Sequence, residues 1–180
     1  MNNSLVIKVV DWNDRQDVLK AIRKSVFIDE QHVPKELEWD GLDSDCIQFL
    51  ASFNSTPVAT ARLTPEGQIG RMAVLEAYRG KGIGSRLLAA VIEQSRPDIA
   101  IQATCSTIAD AREELEMLVH NGIHVISIAE QMVYPACSAP VFAGDLHRLA
   151  VDRGVAVLGT GINPGFVLDL LIIFLTGVCS

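Results

Sequence analysis

The second half of this chain contains no lysine. Residues 97–180 carry three arginines against nine acidic residues, a net charge of −6, whereas residues 1–96 carry twelve basic and thirteen acidic residues. A change in charge of this size within 180 residues indicates two stretches of separate origin. We therefore predict a boundary at Arg96–Pro97, with one domain over residues 1–96 and another over residues 97–180.

The chain also lacks the excess of positive charge that nucleic-acid binding requires. Its 22 acidic residues outnumber 15 lysines and arginines, and the net charge at pH 7 is −7. Nucleic-acid phosphates would be repelled, so nucleic acid is excluded as a partner. Hydrophobic residues make up 49% of the chain and charged residues 21%, which is typical of a globular protein and excludes intrinsic disorder.

Features of secreted and membrane proteins are missing as well. Met1–Ser4 has no basic segment followed by an apolar run, so we expect no secretory leader. The longest apolar run, residues 166–179, contains Asp169 and is shorter than the roughly 20 residues that span a bilayer, so it predicts a core helix or strand and no membrane partner. Widely spaced cysteines without a CxxC pair indicate reduced thiols and a cytoplasmic location. They are Cys46, Cys105, Cys137 and Cys179.

A metal site is not expected either. His120 and His124 are four residues apart, a spacing that places two ligands on one face of a helix. Asn121 and Gly122 between them break the helix that would align the two imidazoles.

The pattern of apolar residues predicts an α/β fold. In the first half it indicates strands over residues 5–10 and 67–75 and helices over residues 14–27 and 85–94. A loop over residues 34–45 and a hairpin over residues 46–63 lie between them. In the second half strands and helices alternate over residues 99–104, 110–120, 125–128, 138–154 and 155–158. Such βαβαβ alternation predicts a parallel sheet, so the fold class is α/β with a mixed sheet.

A glycine-rich turn is the clearest chemical motif. Gly80, Gly82 and Gly84 lie between a predicted strand and a predicted helix, where glycine lets backbone amides point at an anion. The start of the helix adds its positive dipole end, and Arg79 and Lys81 add charge. The turn predicts a pyrophosphate site, and a connector with solvated basic residues is the alternative. It matches neither the Walker loop nor the GxGxxG dinucleotide pattern.

Five short segments of the first half resemble one family. Gly70–Val74, Tyr78–Gly84 and Leu87–Leu88 resemble the acetyl-CoA motif of the GNAT family of N-acetyltransferases. Residues 26–34 and 38–43 are similar to small bacterial GNATs of the ElaA-like branch. The resemblance covers roughly residues 4–96.

The resemblance implies a binding mode for acetyl-CoA. The backbone of β-strand residues would pair with the pantetheine arm, and these residues are Met72, Ala73 and Val74. Amides of the turn would hold the pyrophosphate, and these residues are Arg79, Gly80, Lys81, Gly82, Ile83, Gly84 and Ser85. The partner would be a small-molecule amine acceptor.

Acyl transfer to an amine requires that the amine lose a proton and that the thiolate leave. Glu30 and Asp40 are the candidate catalytic residues, with Glu38 a further acidic candidate, and a solvated loop carboxylate is the alternative for each. Many GNATs protonate the thiolate with a tyrosine after the next strand. Tyr134 is the only tyrosine downstream, and no matching motif surrounds it, so we expect weak or absent activity.

The second half resembles a different protein family. Residues 99–106, 125–131 and 158–166 resemble the middle of 2,4-diaminopentanoate dehydrogenases, NAD(P)-dependent relatives of dihydrodipicolinate reductase with a Rossmann-type fold. The resemblance implies that Thr104, Ser106, Glu130 and the loop 159–166 line the nicotinamide. No GxGxxG segment precedes them, so we expect NAD(P) to bind poorly. Strand ends retained from an ancestor are the alternative.

The two resemblances predict a chimera, engineered or recombined, with a GNAT-like half continued by Rossmann-type βαβαβ units. Strand 99–104 would lie beside strand 69–74 in one merged sheet, and the alternative is two lobes joined at Pro97. Exposed apolar edges would favour self-association. The predicted function is a GNAT-type N-acyltransferase fragment. The alternatives are a fragment of an NAD(P)-dependent amino-acid dehydrogenase and a non-catalytic chimeric scaffold.

Overall fold

The computed structural model describes residues 4–161, 167 and 170–177. Within it the chain divides into two compact units, Met1–Arg96 and Pro97–Ser180. Residues 162–166 of the predicted nicotinamide loop lie outside the described residues, as do residues 166, 168–169 and 178–179 of the longest apolar run.

The first unit contains a four-stranded antiparallel sheet in the order β1-β2-β3-β4. The strands are β1 Leu5–Val10, β2 Ile47–Phe53, β3 Thr56–Leu63 and β4 Ile69–Val74. Asn54 and Ser55 turn the chain between β2 and β3 with φ values of 49° and 67°. Two successive positive φ values suit the twist of a tight hairpin, so the predicted hairpin is confirmed.

Helices surround this sheet. They are α1 Trp12–Arg23, α2 Lys35–Glu38 and α3 Ile83–Ser95. The first helix begins earlier than the predicted residue 14, because Asp11 is its N-cap and accepts from the amide of Asn13 over 2.8 Å. The helix also widens into a π-helical segment, Lys24–Glu30, which the apolar spacing did not predict.

The two faces of the first sheet pack against different helices. Because neighbouring strand residues point to opposite faces, Phe49 and Leu50 belong to separate cores. Phe49 packs in the core that includes Leu87 of α3, and Leu50 packs with Leu19 of α1. The sheet is therefore the middle layer between α1 and α3 in the first unit.

The last strand of this sheet is irregular. Thr60 of β3 lies opposite Ala73 of β4, and Arg62 lies opposite Gly70. Between these two pairs β4 has one more residue than β3. The extra residue creates a bulge, and Arg71 adopts a φ of 51° there. Among the described residues β4 pairs with β3 alone, which leaves its other edge without a strand partner.

The second unit contains a three-stranded parallel sheet in the order β5-β6-β7. Its strands are β5 Ile99–Gln102, β6 His124–Ser127 and β7 Val157–Gly159, and its helices are α4 Ile108–His120, α5 Pro135–Ser138, α6 Pro140–Arg153 and α7 Leu171–Thr176. Thr107 caps α4 by accepting from the amide of Asp110 over 3.2 Å. The predicted alternation of helices with parallel strands is confirmed.

The prediction of one merged sheet is wrong. Ile99 pairs with His124 of β6, and no described residue of β5 pairs with β4. β4 and β5 are also joined through a single helix, α3, so the connection alone does not determine which strand β5 pairs with. The protein has an α/β fold with one antiparallel and one parallel sheet.

One face of the second sheet is exposed and apolar. Ile101, Ile126 and Leu158 stand in register across the three strands, and Ile101 is 71% exposed. Val125, which points to the other face, is buried together with residues of α4 and α6. Among the residues that the structure describes, α4 and α6 therefore cover one face of this sheet.

We expect Gly159→Ala to destabilise the second unit. A Cβ on Gly159 would lie 1.9 Å from the carbonyl oxygen of Met132, which is backbone and has no rotamer to change. The free energy of unfolding should fall by about 1–3 kcal/mol, the range typical of overpacked sites, in thermal denaturation followed by circular dichroism.

Gly144→Ala in α6 is the matched control. A Cβ there would meet only the end of the Arg148 side chain, at 3.9 Å. Alanine is the better helix former, so this variant should be unchanged or up to about 1 kcal/mol more stable. Equal melting of the two variants would contradict the predicted clash.

Candidate functional site

The glycine-rich turn connects β4 to α3 with two residues in the left-handed region. Gly80 has a φ of 70° and Gly82 a φ of 69°, and a Cβ at either position would have open space around it. Backbone conformation, not crowding, therefore requires glycine at these positions. Gly82 is the N-cap of α3 and has no side chain to accept from the first turn of the helix, where the dipole is positive.

The start of α3 lies against the end of β4. A Cβ on Gly84 would be 3.8 Å from Cγ2 of Val74, which is ordinary contact. The structure thus brings the predicted strand residues 72–74 and the predicted turn residues 79–85 to one corner of the first unit. Lys81 stands at its rim, where Nζ donates to the carbonyl of Ala77 over 3.1 Å and lies 5.0 Å from the ring centre of Tyr78.

Two predicted site residues form an ion pair with each other. The Nη1 and Nη2 atoms of Arg79 donate to the two carboxylate oxygens of Glu30 over 2.7 and 2.6 Å. The Nε atom of Arg79 donates to the carbonyl of Val74 over 2.9 Å. The hydrogen bonds from Arg79 lower the pKa of Glu30 below its ordinary value, and Glu30 in turn raises the pKa of Arg79. A carboxylate in this state is a weak base.

Asp40 is held in a similar way. Its carboxylate accepts from Arg62 over 2.8 and 2.6 Å and from Arg71 over 3.0 Å. The hydrogen bonds from Arg62 are the main reason that the pKa of Asp40 lies well below its usual range, with a smaller contribution from the amide of Leu42. In the described state Asp40, like Glu30, has little tendency to accept a proton.

Asp40 belongs to a closed ring of ion pairs, which we call the ion ring. Its members alternate in charge and come from α1, α2, the following loop, β3 and β4. In order around the ring they are Arg23, Glu38, Arg71, Asp40, Arg62 and Asp43. Each member contacts two members of opposite sign, so the ring has no net charge.

The ring is mostly buried. Arg23 is completely inaccessible; it pairs with Glu38, and its Nη1 atom lies 2.6 Å from Asp43. Its guanidinium also stands 4.9 Å from the ring centre of Trp39. Arg71 closes the ring, with Nε 2.9 Å from Glu38. These contacts explain the left-handed backbone of Arg71, because the bulge turns its side chain toward α2.

The sequence analysis missed the ion ring. Two arginines at otherwise apolar positions could have indicated it. Arg23 lies on the buried side of α1, and Arg62 lies within the buried strand β3. Arginine is rarely fully buried unless it is paired, so these positions predict acidic partners without identifying them.

The second unit places polar side chains at the carboxyl ends of β5 and β6. Gln102 donates to Thr104 over 2.8 Å and accepts from Ser127 over 2.5 Å, and Thr104 donates to Glu114 over 2.6 Å. Thr104 is thus joined to a network that satisfies its own members. Two other residues of the predicted nicotinamide site, Ser106 and Glu130, are exposed.

The histidines and cysteines that the structure describes do not assemble into a cluster. The Nδ1 atom of His124 accepts from the amide of Ala156 over 3.0 Å. In the part of the chain that the structure describes, no group of three or more His, Cys, Asp or Glu residues could hold a metal ion. The thiols of Cys46, Cys105 and Cys137 are free, and Cys179 lies outside the described residues. Across the described ranges no helix has the length and hydropathy needed to cross a bilayer.

Known proteins of two kinds match this chain, and the match to the first kind extends past Arg96. A profile of the family described as Acetyltransferase (GNAT) family matches residues 11–113. A Bacillus subtilis (strain 168) protein provisionally named an acetyltransferase is 38% identical over 76 residues, which are 39% of this chain and 52% of that protein. Escherichia coli ElaA, in a crystal structure, is 26% identical with a TM-score of 0.44, covering 51% of this chain and 70% of ElaA.

The other match is to an oxidoreductase. The 2,4-diaminopentanoate dehydrogenase of Acetoanaerobium sticklandii is 44% identical over 90 residues, which are 50% of this chain and 26% of that enzyme. The chain therefore spans about a quarter of this relative and about half of the bacillary one. Both resemblances predicted from the sequence are confirmed.

We expect Arg23→Met to destabilise the first unit strongly. Methionine keeps the apolar length but leaves Glu38 and Asp43 with one arginine each inside the protein. Removal of one partner from a buried ion pair costs about 3–5 kcal/mol, and urea unfolding followed by tryptophan fluorescence should report a loss of this order. Both tryptophans, Trp12 and Trp39, lie in the first unit.

The neighbouring Lys24→Met variant serves as the control. Lys24 pairs with Asp29 on the surface, where both side chains are more than half exposed. Its loss should cost less than about 1 kcal/mol, because exposed pairs contribute little. If the two variants unfold at the same urea concentration, the ion ring does not hold the first unit together.

Proposed function

Because the chain belongs to the acetyltransferase (GNAT) family, we propose that its first unit binds acetyl-CoA for transfer of the acetyl group to a small-molecule amine. The observation that carries this proposal is the position of the glycine-rich turn at the start of α3, beside the edge of β4 that has no strand partner among the described residues. A diphosphate on the turn and an extended arm along the strand would then belong to one ligand.

In this proposal the phosphate oxygens accept from amides of residues 80–85, since the amide of Arg79 already donates to the carbonyl of Glu76 over 3.1 Å. The positive end of α3 stabilises the charge of the phosphates. The amides of the pantetheine arm pair with Met72–Val74 in the manner of an added strand. The amine nitrogen attacks the thioester carbonyl carbon, the carbon–sulfur bond breaks, the amine loses a proton and the thiolate gains one.

The protein supplies little acid–base assistance to this step. Glu30 and Asp40 stay candidate bases, and both are tied to arginines in the described state. Tyr134, the tyrosine considered for protonating the thiolate, is exposed in the second unit. We therefore propose that transfer is slow or absent even where acetyl-CoA binds.

We propose a composite origin for the chain. It is supported by the change in charge at residue 96, by the compact units that meet there, and by relatives of two unrelated activities. The second unit would be a Rossmann-type fragment, and its free thiols support a cytoplasmic location. Sequencing one uninterrupted DNA template across codons 96 and 97 tests the join, and separate templates for the halves would refute it.

The second candidate function is that of an NAD(P)-dependent dehydrogenase fragment. The 44% identity to 2,4-diaminopentanoate dehydrogenase favours it. Against it, the polar groups at the ends of β5 and β6 bond to one another, and no GxGxxG turn precedes β5. A dinucleotide would lack the pyrophosphate contact that orients it.

We expect Gly82→Ala to weaken CoA binding at least about tenfold, which is a difference of 1.4 kcal/mol in binding free energy. Alanine tolerates the φ of 69° poorly, so the turn should change conformation, and its amide N–H groups should no longer point toward the phosphates. Isothermal titration with CoA measures the effect. In the unchanged protein, CoA should also slow hydrogen exchange of the amides of residues 80–85.

Gly67→Ala provides the control, because Gly67 has a φ of 88° in the turn that precedes β4, at its opposite end. It should lose similar stability and keep its affinity for CoA. Equal weakening in both variants contradicts the proposed site. Preferential binding of NADPH over CoA favours the dehydrogenase fragment, and binding of neither favours a scaffold without ligand.

We also propose that the exposed face of the second sheet mediates self-association. Replacing Ile101 by lysine should shift sedimentation toward the monomer, since a charge cannot be buried there without a partner. Val151→Lys in α6 changes an equally apolar exposed residue off this face. A concentration-independent monomer before any substitution would refute the proposal.

A further inference from the structure

The Glu30–Arg79 pair has a position that the proposed function does not explain. Arg79 is the first residue of the glycine-rich turn, where a bound diphosphate would need positive charge. Its guanidinium already uses Nη1 and Nη2 on Glu30 and Nε on the carbonyl of Val74. The described state of the turn therefore contains an anion that the protein itself provides.

This anion comes from a distant and irregular part of the chain. Glu30 ends the π-helical segment Lys24–Glu30, and the chain leaves it through His32, which has a φ of 57°. The amide of Gln31 donates to the carbonyl of Val26 over 3.1 Å, the wide spacing of a π-helix. Such segments are rare and often occur at functional positions.

The pair is reachable by a ligand. The side chains of Glu30 and Arg79 are each 40% exposed, so a phosphate can approach the guanidinium without unfolding of the unit. Carboxylate and phosphate both suit the two parallel donors of arginine, and they cannot occupy the same donors together. The other cation of the turn, Lys81, donates to a backbone carbonyl through one of its three hydrogens.

We propose that Glu30 is an internal competitor for the diphosphate, so that the ligand must displace it from Arg79 in order to bind. This inference rests on the proposed acetyl-CoA site. In the empty state Glu30 neutralises Arg79 and keeps its guanidinium in place. When a diphosphate takes over the guanidinium, Glu30 is released, and the end of the π-helical segment loses its contact with the turn.

If Glu30 competes with the ligand for Arg79, a substitution that removes its charge should increase the affinity for the ligand. Glu30→Gln removes the negative charge and keeps the size of the side chain. It should tighten binding of CoA and of inorganic pyrophosphate about fivefold. That factor corresponds to the attraction between two unit charges in contact in water, which the ligand would no longer have to overcome. Isothermal titration of both ligands against the full chain measures this.

Asp29→Asn is the matched control. It removes the same charge one residue away, from a carboxylate that pairs with Lys24. The competition predicts little change for this variant, whereas a general effect of net charge predicts that both variants improve alike. Equal improvement, or weaker binding by Glu30→Gln, overturns the proposal, and the second result would mean that Glu30 holds Arg79 ready for the ligand.

Hydrogen exchange separates this inference from the proposed function. Binding of CoA should protect amides 80–85 while it increases exchange at residues 27–31, where the contact with Arg79 is lost. Protection of the turn without a change at residues 27–31 overturns the competition and leaves the acetyl-CoA site standing. Absence of CoA and pyrophosphate binding to the unchanged protein and to Glu30→Gln overturns both.

Discussion

The ion ring is the constraint on which the first unit depends. Apolar contacts alone hold α1 and α3 to opposite faces of the sheet, but they do not determine the path of residues 31–46. Glu38, Asp40 and Asp43 attach that path to Arg62 of β3 and Arg71 of β4. A buried ion pair often contributes little net stability relative to an apolar replacement. We expect its contribution here to be specificity, because each member of the ring has both partners only when all the elements are in place.

The geometry of the candidate site follows from this constraint. Arg71, which closes the ring, lies in the bulge of β4. Met72–Val74 follow the bulge, and among the described residues their other edge has no strand partner. The same strand ends at Val74, whose carbonyl accepts from Arg79 and whose side chain contacts the start of α3. The turn, the edge and the π-helical segment are therefore positioned by one another, and a shift of β4 would move all three.

Local signals predicted much of this structure. The glycines of the turn and the hairpin within residues 46–63 each depend on residues within a few positions, and the structure bears out their conformations. Nonlocal features were harder. The ion ring joins residues 23 to 71, and neither charge nor spacing says which arginine meets which carboxylate. The prediction of a merged sheet failed for the same reason. The spacing of apolar residues identifies each strand, but it does not indicate which strands pair across Arg96–Pro97.

A closed ring of six also restricts how this unit can be inherited. Loss of any member leaves two neighbours short of a partner, so single charge changes are disfavoured and compatible replacements must arise together. All six positions lie between residues 23 and 71, well before the change in charge at residue 96. A recombination breakpoint inside that interval would separate arginines from the carboxylates they pair with. A breakpoint after residue 71 keeps all six residues on one inherited segment.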